Sequence, residues 1–239
     1  MNNLKRFKNI HKNKIAITFG TGRSLEQFTM DNFLKYRKRY YGEITRDDII
    51  CLGVNKIVYW DGVELDYYFT SDNPLHPSGR RAEYTEDATM WPMTYYSTIQ
   101  NYIKTKLKKE IFVHGDTRNS FTDDEIKNMP AHKTFLTYSN EIHKDIDKHP
   151  FINHSIIYST IQFAAYTGIE KIYIVGCDCD NSHFNAAGVK YLAEHELTKL
   201  GPSSTMEAYW KDIKNTYSEI EIIRINSASL GNLFKKITI

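Results

Sequence analysis

Short apolar runs, separated by stretches with helical spacing, organise this chain. Lys14 to Phe19 (KIAITF) reads as a buried strand and runs straight into Gly20-Thr21-Gly22-Arg23-Ser24-Leu25. Ser24 is placed as a helix N-cap, and Leu25, Phe28, Phe33 and Leu34 follow as a helical stripe. Ile49 to Val54 and Tyr67 to Thr70 read as a second and third strand. Residues 75 to 92 carry prolines, arginines and few aliphatics and read as an excursion; Thr94 to Leu107 reads as a helix. Strands follow at Glu110 to His114 and Thr134 to Thr137. Ile156 to Tyr166 is an apolar helix with Ile157, Ile161, Ala164 and Ala165 toward a core; it stops at Gly168 and feeds the strand Lys171 to Val175. Met206 to Tyr217 is amphipathic, Glu221 to Ile225 is a strand, and Asn226 to Leu233 leads into an expected short C-terminal helix.

Strands alternating with helices predict an α/β, Rossmann-like domain: a mostly parallel sheet with helices on both faces. Residues 1–239 are read as a single nucleotide-binding domain with a loop or helical insertion near 75–108. In such a sheet, ligands bind at the carboxyl ends of the strands. Polar residues sit just there: Gly20, Gly22, Arg23 and Ser24 after the first strand, and Asn55 after the second. Asp72 and Asn73 follow the third, His114-Gly115-Asp116 the fourth, and Gly176-Cys177-Asp178 the strand at 171–175. Glycines after a strand let the backbone approach an anion, and the helix start offers free N–H groups. Gly20 and Gly22 match neither the dinucleotide fingerprint, which has a third glycine, nor a Walker loop. His183 lies close behind Asp178 and suits a general base; Asp178, Asp180 and His183 would alternatively hold a divalent metal.

Composition narrows the classes. A formal charge of +2 gives no global basic field, so nucleic acid is not an expected partner. The local basic runs, Lys5 to Lys14 and Lys35 to Arg39, read as solvated surface that would also suit peripheral contact with an anionic membrane. Cys51, Cys177 and Cys179 are too few for a disulfide framework or a zinc site and read as free thiols of a cytoplasmic protein. No apolar stretch reaches the ~20 residues of a membrane span. Tyr95-Tyr96 suits a core or an interface, which leaves room for a homo-oligomer.

The glycine turn of the form GxGxSL, the Asn after the second strand, Asp-Asn-Pro after the third, and SIIYSTIQFAAYTGIEKIYIVGCD followed by His-Phe together resemble the MptE-like family. That family shares its fold with the bacterial lipooligosaccharide sialyltransferases and includes an archaeal pterin diphosphokinase. The resemblance touches residues 14–75 and 154–184, with a weaker echo at 226–234. It implies a glycosyltransferase that moves a sugar from a nucleotide donor, CMP-linked in the sialyltransferases, to a surface-glycan acceptor. Gly20, Gly22 and Ser24 would meet the donor phosphate, with Arg23 beside them where the pattern has proline. Asn55 and Asn73 would contact the nucleotide or sugar, Ser155 would lie near the donor carboxylate or phosphate, and His183 would be the base. No cofactor or metal is required in that reading. The kinase branch implies instead Mg²⁺ and ATP held by Asp72, Asp116 and Asp178. A third reading keeps the cleft as a non-catalytic nucleotide-binding module in polysaccharide synthesis.

Overall fold

The computed structural model describes residues 4–70, 101–102, 105–114, 133–136, 138–152, 155–179, 203–227, 229–231 and 233–239. The strands are β1 (Ile15–Phe19), β2 (Ile49–Val54), β3 (Tyr67–Thr70), β4 (Glu110–His114), β5 (Lys133–Leu136), β6 (Tyr138–Ser139), β7 (Phe151–Ile152), β8 (Lys171–Val175), β9 (Glu221–Ile225) and β10 (Lys235–Ile237). The described α-helices are α1 (Met30–Tyr41), α2 (Ile156–Tyr166) and α3 (Ser203–Thr216).

Among the described residues, eight strands form one sheet in the order β10-β9-β8-β1-β2-β3-β4-β5, and β6 pairs with β7 in a separate ribbon. Every pairing is parallel. The chain starts at β1 in the middle of the sheet, builds outward through β5, then crosses back and builds the other way from β8. The order therefore reverses between β1 and β8, and open α/β sheets bind ligands at the carboxyl edge of such a switch point.

Period-two alternation splits each strand between two cores. Ala16, Ile50, Leu52 and Tyr67 point to one face, where α2 and α3 contribute Ile161, Phe163, Trp210 and Ile213. Ile17, Phe19, Ile49 and Cys51 point to the other, with Phe33 of α1. Phe163 is the hub of the first face: its ring lies 4.8 Å from those of Tyr67 and Phe112, which are themselves 6.0 Å apart. Phe69 stacks on Phe112 at 4.5 Å. Each such buried ring contributes about 1.5–3 kcal/mol of transfer free energy.

Three expectations change. The first helix does not begin at Ser24. Arg23–Gln27 is a single 3-10 turn with no side-chain cap, and α1 starts at Met30 with Thr29 as its N-cap, accepting from the Asn32 N–H at 3.2 Å. The Ser24 hydroxyl is unavailable as a cap because it bonds across to β8, as described below. The expected C-terminal helix is instead β10, paired with β9. β10 forms because β9 offers it an edge, and the buried Arg224 guanidinium ties down the turn before it through the carbonyls of Ser227, Ser229 and Phe234. Finally, the basic N-terminal segment is not simply solvated: Leu4, Phe7 and His11 are buried while Lys5, Lys8 and Lys12 stay exposed. Phe7 packs on Phe163 at 5.2 Å, and Arg6 pairs with Glu110 at 2.6 Å. The expected excursion at 75–92 lies outside the described residues, and of the helix at 94–107 only residues 101–102 and 105–107 are described.

Candidate functional site

The loops after β1 and β8 meet at the reversal point and bond to each other. The N–H groups of Gly20 and Gly22 donate to the carbonyls of Val175 and Gly176, at 2.8 and 2.7 Å. The Ser24 N–H donates to Asp178 Oδ2 at 2.7 Å, and Ser24 Oγ accepts the Gly176 N–H at 3.1 Å. Ser24 thus ties the first loop to both Gly176 and Asp178 of the second, and Ser24 and Asp178 are buried.

Close approach explains the glycines. A Cβ on Gly20 would overlap the Gly176 carbonyl, and one on Gly22 would overlap Asp178 Oδ2 and come within 2.8 Å of Gly176 O. Gly176 itself sits at φ 68°, the left-handed region that glycine adopts without cost. The donors of this turn are engaged by the neighbouring loop, and the Asp178 carboxylate occupies the anion position at the start of the 3-10 turn. Burial among these loops pushes the Cys177 thiol well above its usual range, and burial pushes Cys51 up to about 12. Cys177 packs in the core on one face of the sheet and Cys51 in the core on the other.

Asn55 ends β2 at φ 42°, a left-handed position in which Asn is well tolerated. Its carbonyl accepts the Tyr68 hydroxyl at 2.8 Å, which fixes where the half-buried side chain leaves the strand. Asn226 ends β9 at φ 60° in the same way. β2, β8 and β9 therefore each leave the carboxyl edge through a left-handed residue.

Ser155 arrives from the other direction. α2 lies across β1, β2 and β3 and leads into β8, so it runs antiparallel to the sheet. Its C-terminal end is at the amino edge, where the Tyr166 and Thr167 carbonyls accept the Asn9 and His11 N–H groups. Its N-terminus therefore opens on the carboxyl edge beside the reversal point. Ser155 is the N-cap residue, makes no side-chain cap bond, and is only half-buried; no acidic residue stands in the first turn. A helix start that, among the described residues, has no side-chain cap and no carboxylate in its first turn is suited to an anion.

Gly20, Gly22, Arg23, Ser24, Asn55, Ser155 and Asp178 thus all belong to one edge of the sheet. Asp72, Asn73, Asp116, Asp180 and His183 lie outside the described residues. Sequence reasoning missed Gly176 as a partner of the glycine turn and Tyr68 as the brace of Asn55. The signal for the first was present, since a glycine ends both central strands. Among the described residues, no group of three His, Cys, Asp or Glu side chains converges as metal ligands, and no helix is long and apolar enough to cross a membrane.

No family model matches the chain, and no curated protein does. Solved structures share the fold. The sialyltransferase CST-II in complex with a trisaccharide acceptor and CMP is 15% identical, with 93% of this chain and 86% of that chain covered and a TM-score of 0.51. CstII from Campylobacter jejuni with the substrate analogue cytidine-5'-monophosphate is 16% identical, with 94% and 85% covered and a TM-score of 0.50. The monofunctional alpha-2,3-sialyltransferase Cst-I from Campylobacter jejuni is 15% identical, with 92% and 79% covered and a TM-score of 0.50. At this identity the likeness is one of fold. It bears on the sialyltransferase half of the resemblance; the MptE-like half rests on the sequence motifs alone.

Proposed function

We propose that the protein is a glycosyltransferase that moves a sugar from a CMP-linked donor to a surface-glycan acceptor. The observation that carries the reading is the strand-order reversal between β1 and β8, where the two loops meet at the carboxyl edge. The locked glycine loops form one wall, and Asn55 and the uncapped start of α2 open on the same edge. The shared fold with transferases that bind CMP supports the choice of nucleotide.

In this reading Gly20, Gly22 and Arg23 shape the wall against which the donor lies. Ser155 and the first N–H groups of α2 take the donor phosphate or carboxylate. Asn55 and Asn73 contact the nucleotide or sugar. His183 removes the proton from the acceptor hydroxyl as that oxygen bonds to the anomeric carbon. The bond from that carbon to the phosphate oxygen breaks, and CMP departs with the electron pair. Donors at the helix start stabilise the charge that develops on the phosphate. Asp178 is a positioning residue: by bonding the Ser24 N–H it fixes where the segment carrying His183 leaves the sheet.

The test is CMP release from a CMP-sugar in the presence of a glycan acceptor, with and without a chelator. Acceptor-dependent release that survives chelation supports the transferase. Turnover of ATP that a chelator abolishes would replace it with the kinase.

A further inference from the structure

Among the described residues, the exposed large apolar side chains are Ile10, Tyr40 and Tyr41, at 47%, 57% and 37% exposure. All three lie at the amino edge of the sheet, opposite the reversal-point site. α1 follows β1 and returns to begin β2, so its last turn, with Tyr40 and Tyr41, reaches that edge. Ile10 is held there by its neighbour, since the His11 N–H donates to the Thr167 carbonyl in the turn before β8.

Cations surround these tyrosines. The Tyr41 ring has Arg37 at 4.7 Å, Lys171 at 4.8 Å and Lys235 at 5.7 Å from its centroid, and Lys235 also donates to its hydroxyl at 3.0 Å. Arg39 lies 5.2 Å from the Tyr40 ring. Glu43 and Glu221 touch this surface, and each is ion-paired to a lysine, Lys38 and Lys171. Lys35, Arg39, Lys235 and Lys236 are exposed, and no ion pair joins them to a carboxylate among the described residues. A cavity of about 330 Å³ opens where α3 ends and β9 and β10 begin. Lys214 and Lys235 stand at it, with Ile220, Ile222, Leu233 and Phe234 supplying apolar wall.

We propose that this edge docks on a bilayer containing anionic phospholipid. Tyrosine rings with an apolar body and a polar tip suit the headgroup level. Arg39 and Lys235, exposed and held on tyrosine rings rather than by carboxylates, present positive charge to anionic lipid. The cavity pairs ammonium groups with an apolar wall, which fits a lipid phosphate above its acyl carbons. Neither a nucleic acid nor a free glycan has the apolar portion to fill it. Docked this way, the carboxyl edge faces the water, whatever ligand it binds.

The experiment is co-sedimentation of the full chain with vesicles of phosphatidylcholine alone and of phosphatidylcholine mixed with phosphatidylglycerol. Binding is expected to the anionic vesicles only. Combining Lys35→Glu, Arg39→Glu and Lys236→Glu is expected to lower partition roughly a hundredfold or more, each cation near an anionic surface being worth about a factor of five. These side chains are exposed, so the unfolding temperature should stay at the wild-type value. Tyr40→Ser leaves the net charge alone and should weaken partition several-fold; it covers the case in which charge reversal unsettles α1. The proposal is overturned by absence of binding to the anionic vesicles, or by equal binding of the variants. Retention on heparin without vesicle binding would likewise overturn it and make the edge a soluble-polyanion site.

Discussion

Removing one oxygen atom should separate the lock between the loops from the ligand site beside it. In Ser24→Ala the Gly176 N–H, now bonded to Ser24 Oγ at 3.1 Å, loses its acceptor. The Ser24 side chain is 8% exposed, so water has little access to replace it. Leaving a buried donor unsatisfied costs about 1–3 kcal/mol. For a domain of this size about 1 kcal/mol moves the melting temperature by roughly 2–4 °C. A fall centred near ~6 °C is therefore expected, with a matching shift in the urea midpoint and an unchanged slope. Ser155→Ala is the internal control. That hydroxyl makes no cap bond, so its loss should leave stability within ~0.5 kcal/mol. Its effect should appear instead in CMP affinity, weakened roughly tenfold or more if the oxygen meets an ionised phosphate. Both variants need only thermal and urea unfolding and a nucleotide titration. If Ser24→Ala melts with the wild type, or if Ser155→Ala loses as much stability as Ser24→Ala, the assignment of lock and ligand group is wrong.

Other outcomes follow from the same geometry. Gly22→Ala drives a methyl into Asp178 Oδ2 and should destabilise by about 1–3 kcal/mol; equal urea midpoints would show that the loops are not in contact. His11 is buried, 2.9 Å from the Tyr67 hydroxyl, and burial, helped by Lys109, lowers its pKa from 6.5 to about 4. The unfolded chain binds this proton below about pH 6.5 while the native state does not, so stability is intact above that pH and falls as pH drops toward 4. The loss attributable to His11 is on the order of 3 kcal/mol at the acid limit, and a His11→Asn chain should show a shallower acid slope; parallel slopes would reject the assignment. His183→Ala should lower turnover by roughly 10²–10⁴-fold while keeping nucleotide affinity; full activity would remove His183 as the base.

Hydrophobic periodicity carried the strands well, because each central strand is a continuous apolar run bounded by a polar or glycine residue. β2, β3, β4, β8 and β9 and helix α2 fall where the pattern places them. What was not legible depended on partners remote in sequence. Ser24 looks like a helix cap locally, but its hydroxyl is claimed by a backbone N–H in a loop 152 positions away. The glycines read as a phosphate cradle, yet each is needed because another strand's loop lies against it. The C-terminal residues carry no strong strand period, and β10 exists because β9 offers an edge and Arg224 holds the intervening turn. Placement at the carboxyl edge was readable from motif order for Asn55, Gly20 and Asp178. The orientation of Ser155 required knowing that α2 runs antiparallel to β8.

The central claim is that the site at the reversal point takes a CMP-linked donor, and a thermal-shift screen with CMP, CDP, UDP, GDP and ATP, each with and without Mg²⁺, tests it most directly. A ligand at ~100 times its dissociation constant stabilises the fold by about 2.7 kcal/mol. The account predicts a shift with CMP that does not depend on metal. A shift only with ATP and Mg²⁺, or no shift with any nucleotide, would contradict it.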